Sequence, residues 1–176
     1  MALELATRVR AAIRDIPDFP KPGILFKDIM PVLADASLMA DVIAYMAKQW
    51  RGDDIGCIVG MESRGFLFGM PLSIEMGVPF APARKPGKLP YSTVSTSYEL
   101  EYGTNTLEMH TDAIAKGQRV LIIDDLLATG GTAKATQQLI HDLGGTVAGF
   151  QFLVELDFLS GRAALGEARV DSLVHY

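Results

Sequence analysis

Between Val120 and Ala135 the chain reads VLIIDDLLATGGTAKA, four apolar residues followed by two adjacent carboxylates and then Ala-Thr-Gly-Gly-Thr. A short apolar run bounded by turn residues describes a strand buried on both faces. In an open parallel α/β sheet, ligands bind beyond the carboxyl ends of the strands, and Asp124 and Asp125 would stand at such an end. The residues that follow, Ala128, Thr129, Gly130, Gly131 and Thr132, would curl into a nest of backbone N–H groups with two hydroxyls beside it. A helix starting near Gly131 would aim the positive end of its dipole at the same point. Such a nest holds a phosphate, and adjacent carboxylates accept hydrogen bonds from the vicinal hydroxyls of a ribose. The chemistry is that of a ribose 5-phosphate site. The plainer reading makes Asp124 a helix cap and Gly130-Gly131 a turn. It accounts for either pair alone, but not for their order after an apolar strand. Two other phosphate motifs are absent, since neither G-x-x-x-x-G-K-[ST] nor G-x-G-x-x-G after a strand occurs.

These residues need a scaffold, and the rest of the chain supplies its signals. Residues 3–14, 37–50, 64–76 and 131–143 carry helical patterns, with Asp35 or Ser37 as the cap of the second. Residues 55–61, 79–85, 119–125 and 146–156 read as short apolar strands. Strand and helix in alternation predict an α/β fold, a central parallel sheet flanked by helices, in one domain over 1–176. The segment 18–31, broken by Pro20, Pro22 and Pro31, reads as ordered but irregular. PGKLPYSTVSTS (86–97) has no buried periodicity; a polar loop of that length is either functional or disordered, and a lid over about 86–98 is expected. YELEYGTNTLEMH behind it predicts a hairpin turning at Gly-Thr-Asn.

Composition narrows the function classes. The 176 residues are 49% hydrophobic and 21% charged, which suits a folded soluble chain. A net charge of -5 argues against a nucleic-acid partner. Cys57 is the single cysteine, so there is no disulfide framework and a reducing compartment is expected. His110, His141 and His175 lack metal-ligand spacing. The charged N-terminus has no signal-peptide core and no uncharged run approaches the ~20 residues of a membrane span, so the expectation is a cytoplasmic protein with no membrane partner.

The 120–135 stretch resembles the phosphoribosyl-pyrophosphate (PRPP) signature of type I phosphoribosyltransferases. DFPKPGILFKDI (18–29), ESRGFLFG (62–69), RKPGKLP (84–90) and ELEYG (99–103) are similar, in order along nearly the whole chain, to the adenine phosphoribosyltransferase family. Lys27 departs from the arginine common in the family. The resemblance implies the type I phosphoribosyltransferase fold, with a small N-terminal hood (about 15–31) and a flexible lid loop. It implies transfer of phosphoribose from PRPP to adenine, giving AMP and pyrophosphate, with Mg²⁺ arriving on the pyrophosphate and a homodimeric assembly.

It also implies residue roles. Ala128 to Thr132 would hold the 5-phosphate, and Asp124 and Asp125 the ribose hydroxyls. Glu62, Ser63 and Arg64 would present amides and a guanidinium to pyrophosphate, in a turn where the family commonly has a non-proline cis peptide. Arg84, Lys85 and Lys88 would clamp the pyrophosphate; a solvated surface run is the alternative. Phe26 would stack on adenine while backbone groups of Leu25 and Lys27 read its edge, unless Phe26 is core packing. Glu101 would ease loss of the adenine proton, with Arg64 and Lys88 also at the reacting centre and Tyr102 closing the lid. Glu101 pairing with a lysine is the structural alternative. The rival functions are a phosphoribosyltransferase for another base and an inactive PRPP-binding regulator.

Overall fold

The computed structural model describes residues 2–100 and 103–176. Helix α1 (Ala2–Ala12) leads into an antiparallel hairpin of β1 (Arg14–Pro17) and β2 (Leu25–Asp28), then a one-turn α2 (Met30–Leu33) and α3 (Ala36–Trp50). The chain continues through β3 (Cys57–Met61), α4 (Gly65–Met76) and β4 (Phe80–Ala83), and forms a second hairpin from β5 (Thr93–Leu100) and β6 (Gly103–His110). It closes with β7 (Arg119–Leu127), α5 (Gly131–Asp142), β8 (Thr146–Glu155), two 3₁₀ turns at Asp157–Leu159 and Gly161–Leu165, and β9 (Val170–His175).

Five strands make one parallel sheet in the order β4-β3-β7-β8-β9. Their side chains alternate between two apolar layers, as the period of two requires. Ile58, Leu121 and Ile123 pack with α1, α3 and α4 on one face; Val59, Met61, Val120, Ile122, Phe150 and Phe152 pack with α5 and β6 on the other. Both faces are therefore covered, which is why β3 and β7 read as unbroken apolar runs. Asp35 caps α3, its Oδ1 accepting from the Ser37 and Leu38 amides at 3.0 Å each.

Four local expectations change. The 18–31 segment is not irregular throughout, because Leu25–Asp28 pairs with Arg14–Pro17. Opposite charges face each other across that ladder, Arg14 with Asp28 and Asp15 with Lys27, at 2.7 Å in each ion pair. Such cross-strand pairs favour the register where prolines predict none. Arg14, expected in the first helix, is the first residue of β1. Residues 93–97, expected in a polar loop, belong to β5; Val94, Thr96 and Tyr98 face α5 while Ser95 and Ser97 face out. Gly103, Thr104 and Asn105 are paired in β6 rather than forming the turn, since the ladder runs to Leu100 opposite Gly103. Strand β9 was not anticipated. Its polar Asp171 and Ser172 conceal a strand that lies beside β8.

A buried polar chain ties β8 and β9 to α3. The Trp50 indole N–H donates to Gln151 Oε1 at 2.8 Å, and Gln151 Nε2 donates to Asp171 Oδ2 at 2.9 Å. Both Trp50 and Gln151 are buried, so losing the acceptor strands a donor away from water. Gln151→Met keeps the bulk and should lower unfolding free energy by about 1–3 kcal/mol, read by denaturant titration. A loss under about 0.5 kcal/mol, the size of an ordinary surface substitution, would refute the role of this chain.

Candidate active site

Strand β7 delivers Asp124 and Asp125 near its carboxyl end. Ala128 and Thr129 follow, Gly130 takes the N-cap position of α5 with φ 82°, and Gly131 and Thr132 begin the helix. Gly130 needs its left-handed backbone, and it also needs to be bare: a Cβ there would sit 2.5 Å from the Gly161 carbonyl oxygen. The Gly161–Leu165 turn thus buttresses the loop from behind. Arg162 holds that turn in place by donating to both oxygens of Glu155, at 2.7 and 2.8 Å. Together with Met61 and Phe152, the loop and Asp124 line a cleft of ≈ 80 Å³. A larger groove of ≈ 370 Å³ lies between α1 and α3, away from the strand ends and the glycine loop; the chemistry belongs to the smaller cleft.

The two carboxylates have different settings. Asp125 is 2% exposed and forms an ion pair with Arg64, Oδ2 to Nε 3.1 Å. Asp124 is half-buried and accepts the Asp125 amide at 2.9 Å. Helix α4 starts against it: a Cβ on Gly65 would lie 2.6 Å from the Ile123 carbonyl and 3.1 Å from Asp124 Oδ1. Burial, then the charge of Asp125, pushes the Asp124 carboxyl well above its ordinary range. Burial raises Asp125 as well, against the pull of Arg64.

Arg64, at the N-cap of α4, joins this pair to the first hairpin, its guanidinium carbon lying 5.6 Å from the centre of the Phe26 ring. Phe26 is half-buried and meets Phe19 edge-on at 5.1 Å. Leu25 is exposed, and the Lys27 ammonium is held by Asp15 and by the Tyr176 ring, 3.9 Å from its centre. The structure therefore brings the predicted base-stacking ring and the predicted ribose carboxylates to one guanidinium.

The second strand end carries the cation cluster. Glu62 accepts from Arg84 Nε and Nη2 at 3.3 and 3.2 Å and from the Lys85 amide at 2.9 Å. Burial raises the Glu62 carboxyl, but Arg84, the Lys85 amide and Lys88 outweigh it and hold the group below its ordinary value. Arg84 also donates to the Lys88 carbonyl at 3.3 Å, and the Lys85 and Lys88 side chains are exposed. Ser63 is exposed, and the Glu62–Ser63 peptide is cis. Glu101 and Tyr102 lie outside the described residues.

Two contacts escape the sequence reading. Arg162 and Gly161 carry no local motif, and their link to the loop exists only in three dimensions. Tyr98, whose hydroxyl lies 3.1 Å from Thr132 Oγ1, sat in a stretch read as loop and hairpin start. The spacing Val94, Thr96, Tyr98 was the available signal that it faces inward.

Residues 32–163 match the phosphoribosyl transferase domain family, and the five-stranded parallel sheet with its glycine loop after the central strand has the type I phosphoribosyltransferase fold. An adenine phosphoribosyltransferase of Myxococcus xanthus is 53% identical over 172 residues, 98% of this chain and 94% of the relative. The crystal structure of the Thermoanaerobacter pseudethanolicus adenine phosphoribosyltransferase superposes with a TM-score of 0.95 at 52% identity, covering 97% of this chain and 99% of that one. The Saccharomyces cerevisiae enzyme, solved with adenine and an imino-altritol bisphosphate, superposes at 0.92 with 39% identity, covering 97% and 99%. This chain belongs to the adenine phosphoribosyltransferase family.

The raised Asp124 carboxyl makes a signed prediction. Below the ordinary carboxylate range it is protonated in both folded and unfolded chains and costs nothing. As pH rises, the unfolded group ionises first, so the folded state loses stability until its own raised value is passed. Asp124→Asn should therefore raise the thermal midpoint of the free protein at pH 7, by about 2–4 °C per kcal/mol gained, and the gain should shrink toward pH 4. A lowered midpoint at pH 7 would count against a buried, destabilising charge.

Proposed function

We propose that the chain transfers phosphoribose from PRPP to adenine, yielding AMP and pyrophosphate, within purine salvage. The observation that carries this is that Arg64 meets both Asp125 and the Phe26 ring, while Asp124 lines one cleft with the glycine loop. Ala128 to Thr132 receive the 5-phosphate; Asp124 and Asp125 receive the ribose hydroxyls. Phe26 stacks on the purine, with Leu25 and Lys27 backbone groups at its edge and the 15–31 segment as a hood. Glu62, Ser63, Arg64, Arg84, Lys85 and Lys88 face pyrophosphate. Residues 86–98 serve as the lid within one 1–176 domain.

In the reaction adenine N9 bonds to C1 of the ribose as the C1–O bond to pyrophosphate breaks. Positive charge develops at C1, and the N9 proton is lost. Glu101 eases that loss, and Tyr102 helps close the lid over a site from which water must be kept. Mg²⁺ enters with PRPP. A hard ion that keeps several waters needs few protein ligands, so the pyrophosphate itself would hold it. In the acidic cluster of Glu155, Asp157 and His175, Glu155 is committed to Arg162 and Asp157 to His175. When bound, it would contribute neutralisation of charge on the leaving pyrophosphate.

A cytoplasmic setting agrees with Cys57, a buried free thiol that burial pushes up to about 11. No described helix is long and apolar enough to cross a membrane. For the assembly we favour a homodimer packed through α4. Leu67, Met70 and Ile74 stand at helical spacing on that helix and are 46%, 48% and 71% exposed, an apolar stripe that a second copy would cover.

Turnover with a panel of bases tests the function. Adenine should be strongly preferred, because backbone groups set for an exocyclic amine are mismatched against a carbonyl. Activity should vanish in EDTA and return with Mg²⁺. Comparable turnover of hypoxanthine or guanine would favour the rival transferase, and binding of PRPP without turnover of any base the rival regulator.

The assembly has its own test. Ile74→Lys places a charge in the stripe and should shift sedimentation from dimer to monomer at micromolar concentration. An unaltered dimer would move the interface elsewhere.

A further inference from the structure

The described part of the β5–β6 hairpin touches the glycine loop through one side chain. Tyr98 points off β5 toward α5, half-buried, with its hydroxyl 3.1 Å from Thr132 Oγ1. Its ring edge covers Gly131: a Cβ built there would stand 3.5 Å from Tyr98 Cδ2. Farther along α5, Thr96 approaches Asp142 at 3.5 Å, so the same strand face runs down the helix from its first turn. Thr132 is thus shared between the loop it belongs to and the hairpin above it.

We infer that Tyr98 is a positioning residue that couples the hairpin to occupancy of the phosphate loop. Each hydroxyl carries one hydrogen and two acceptor sites, and in the free protein either can donate to the other. An anion in the loop removes that freedom. Thr132 must then turn its single hydrogen to the anion, and only the Tyr98 hydrogen can satisfy the contact between them. The chain becomes Tyr98 O–H to Thr132 O–H to phosphate oxygen. A donor whose own oxygen accepts a bond is polarised, so each bond in this chain strengthens the other. A phosphorylated sugar therefore fastens the hairpin down, and one without the 5-phosphate does not.

The coupling rests on the loop's assignment to the 5-phosphate, and the experiment separates the two. Hydrogen exchange of the β5–β6 amides is measured on the full chain, with and without saturating ribose 5-phosphate. Ribose 5-phosphate should slow exchange in the unaltered protein and in Thr132→Ser, which keeps the hydroxyl. In Tyr98→Phe it should still bind, about 2- to 12-fold more weakly, the worth of one hydrogen bond, but without slowing exchange in the hairpin. In a Thr132→Val background the Tyr98→Phe change should add no further loss of affinity. If the unaltered protein fails to bind ribose 5-phosphate, the loop assignment itself falls. If Tyr98→Phe is protected as fully as the unaltered protein, or if the two penalties simply add, the loop stands and the coupling is refuted.

Discussion

The site is organised around a cost, the burial of two adjacent carboxylates at the end of β7. Neighbouring negative charges in a low-dielectric setting repel each other and lose their water. The protein answers from two directions. Arg64 reaches in to pair with Asp125, and the amino end of α4 is drawn so close to Asp124 that only glycine fits at position 65. Arg64 sits at the start of α4, so the turn after β3 and the pair after β7 are held in one arrangement. The strand order, which places β3 directly beside β7, is what makes this possible.

The glycine loop depends on a second, more distant support. Its backbone, left-handed at Gly130, is held from behind. Behind Gly130 stands the Gly161–Leu165 turn, anchored through Arg162 to Glu155 at the end of β8. Burial raises the Glu155 carboxyl, but Arg162, Ser172 and His175 together hold it below its ordinary value. Structure after α5 therefore reaches back to shape the loop before it. None of the atoms involved need touch substrate.

These two supports explain what was legible in the sequence. The alternation of apolar runs with helical stretches gave the parallel sheet, because a strand buried on both faces has no way to disguise its composition. The carboxylates and the loop were legible because strand, acids, glycines and helix start are contiguous. Contacts between distant segments were not. Nothing local to Arg162 marks it as a brace, and β9 hides behind Asp171 and Ser172, although the Asp171 carboxylate is used by Gln151 and Tyr45. The β5 strand failed for another reason: serine and threonine have the composition of loops, yet threonine suits an exposed strand face when alternate positions pack inward. In the first hairpin, cross-strand ion pairs outweighed the proline signal.

In this acidic chain the positive charge near the strand ends is local and already partnered. Arg64 is paired with Asp125 and Arg84 with Glu62, so the two guanidiniums nearest the strand ends are already neutralised at rest. Pairing keeps them from repelling each other and fixes their direction, which an unpaired arginine on a loop would lose to side-chain entropy. The exposed Lys85 and Lys88, on a turn held by the bond from Arg84 to the Lys88 carbonyl, supply the mobile part of the charge. An anion that reached Arg84 would have to compete with Glu62 for it. Binding is then an exchange of anionic partners rather than the neutralisation of a bare cation, and that exchange favours a ligand carrying several charges over one carrying a single charge.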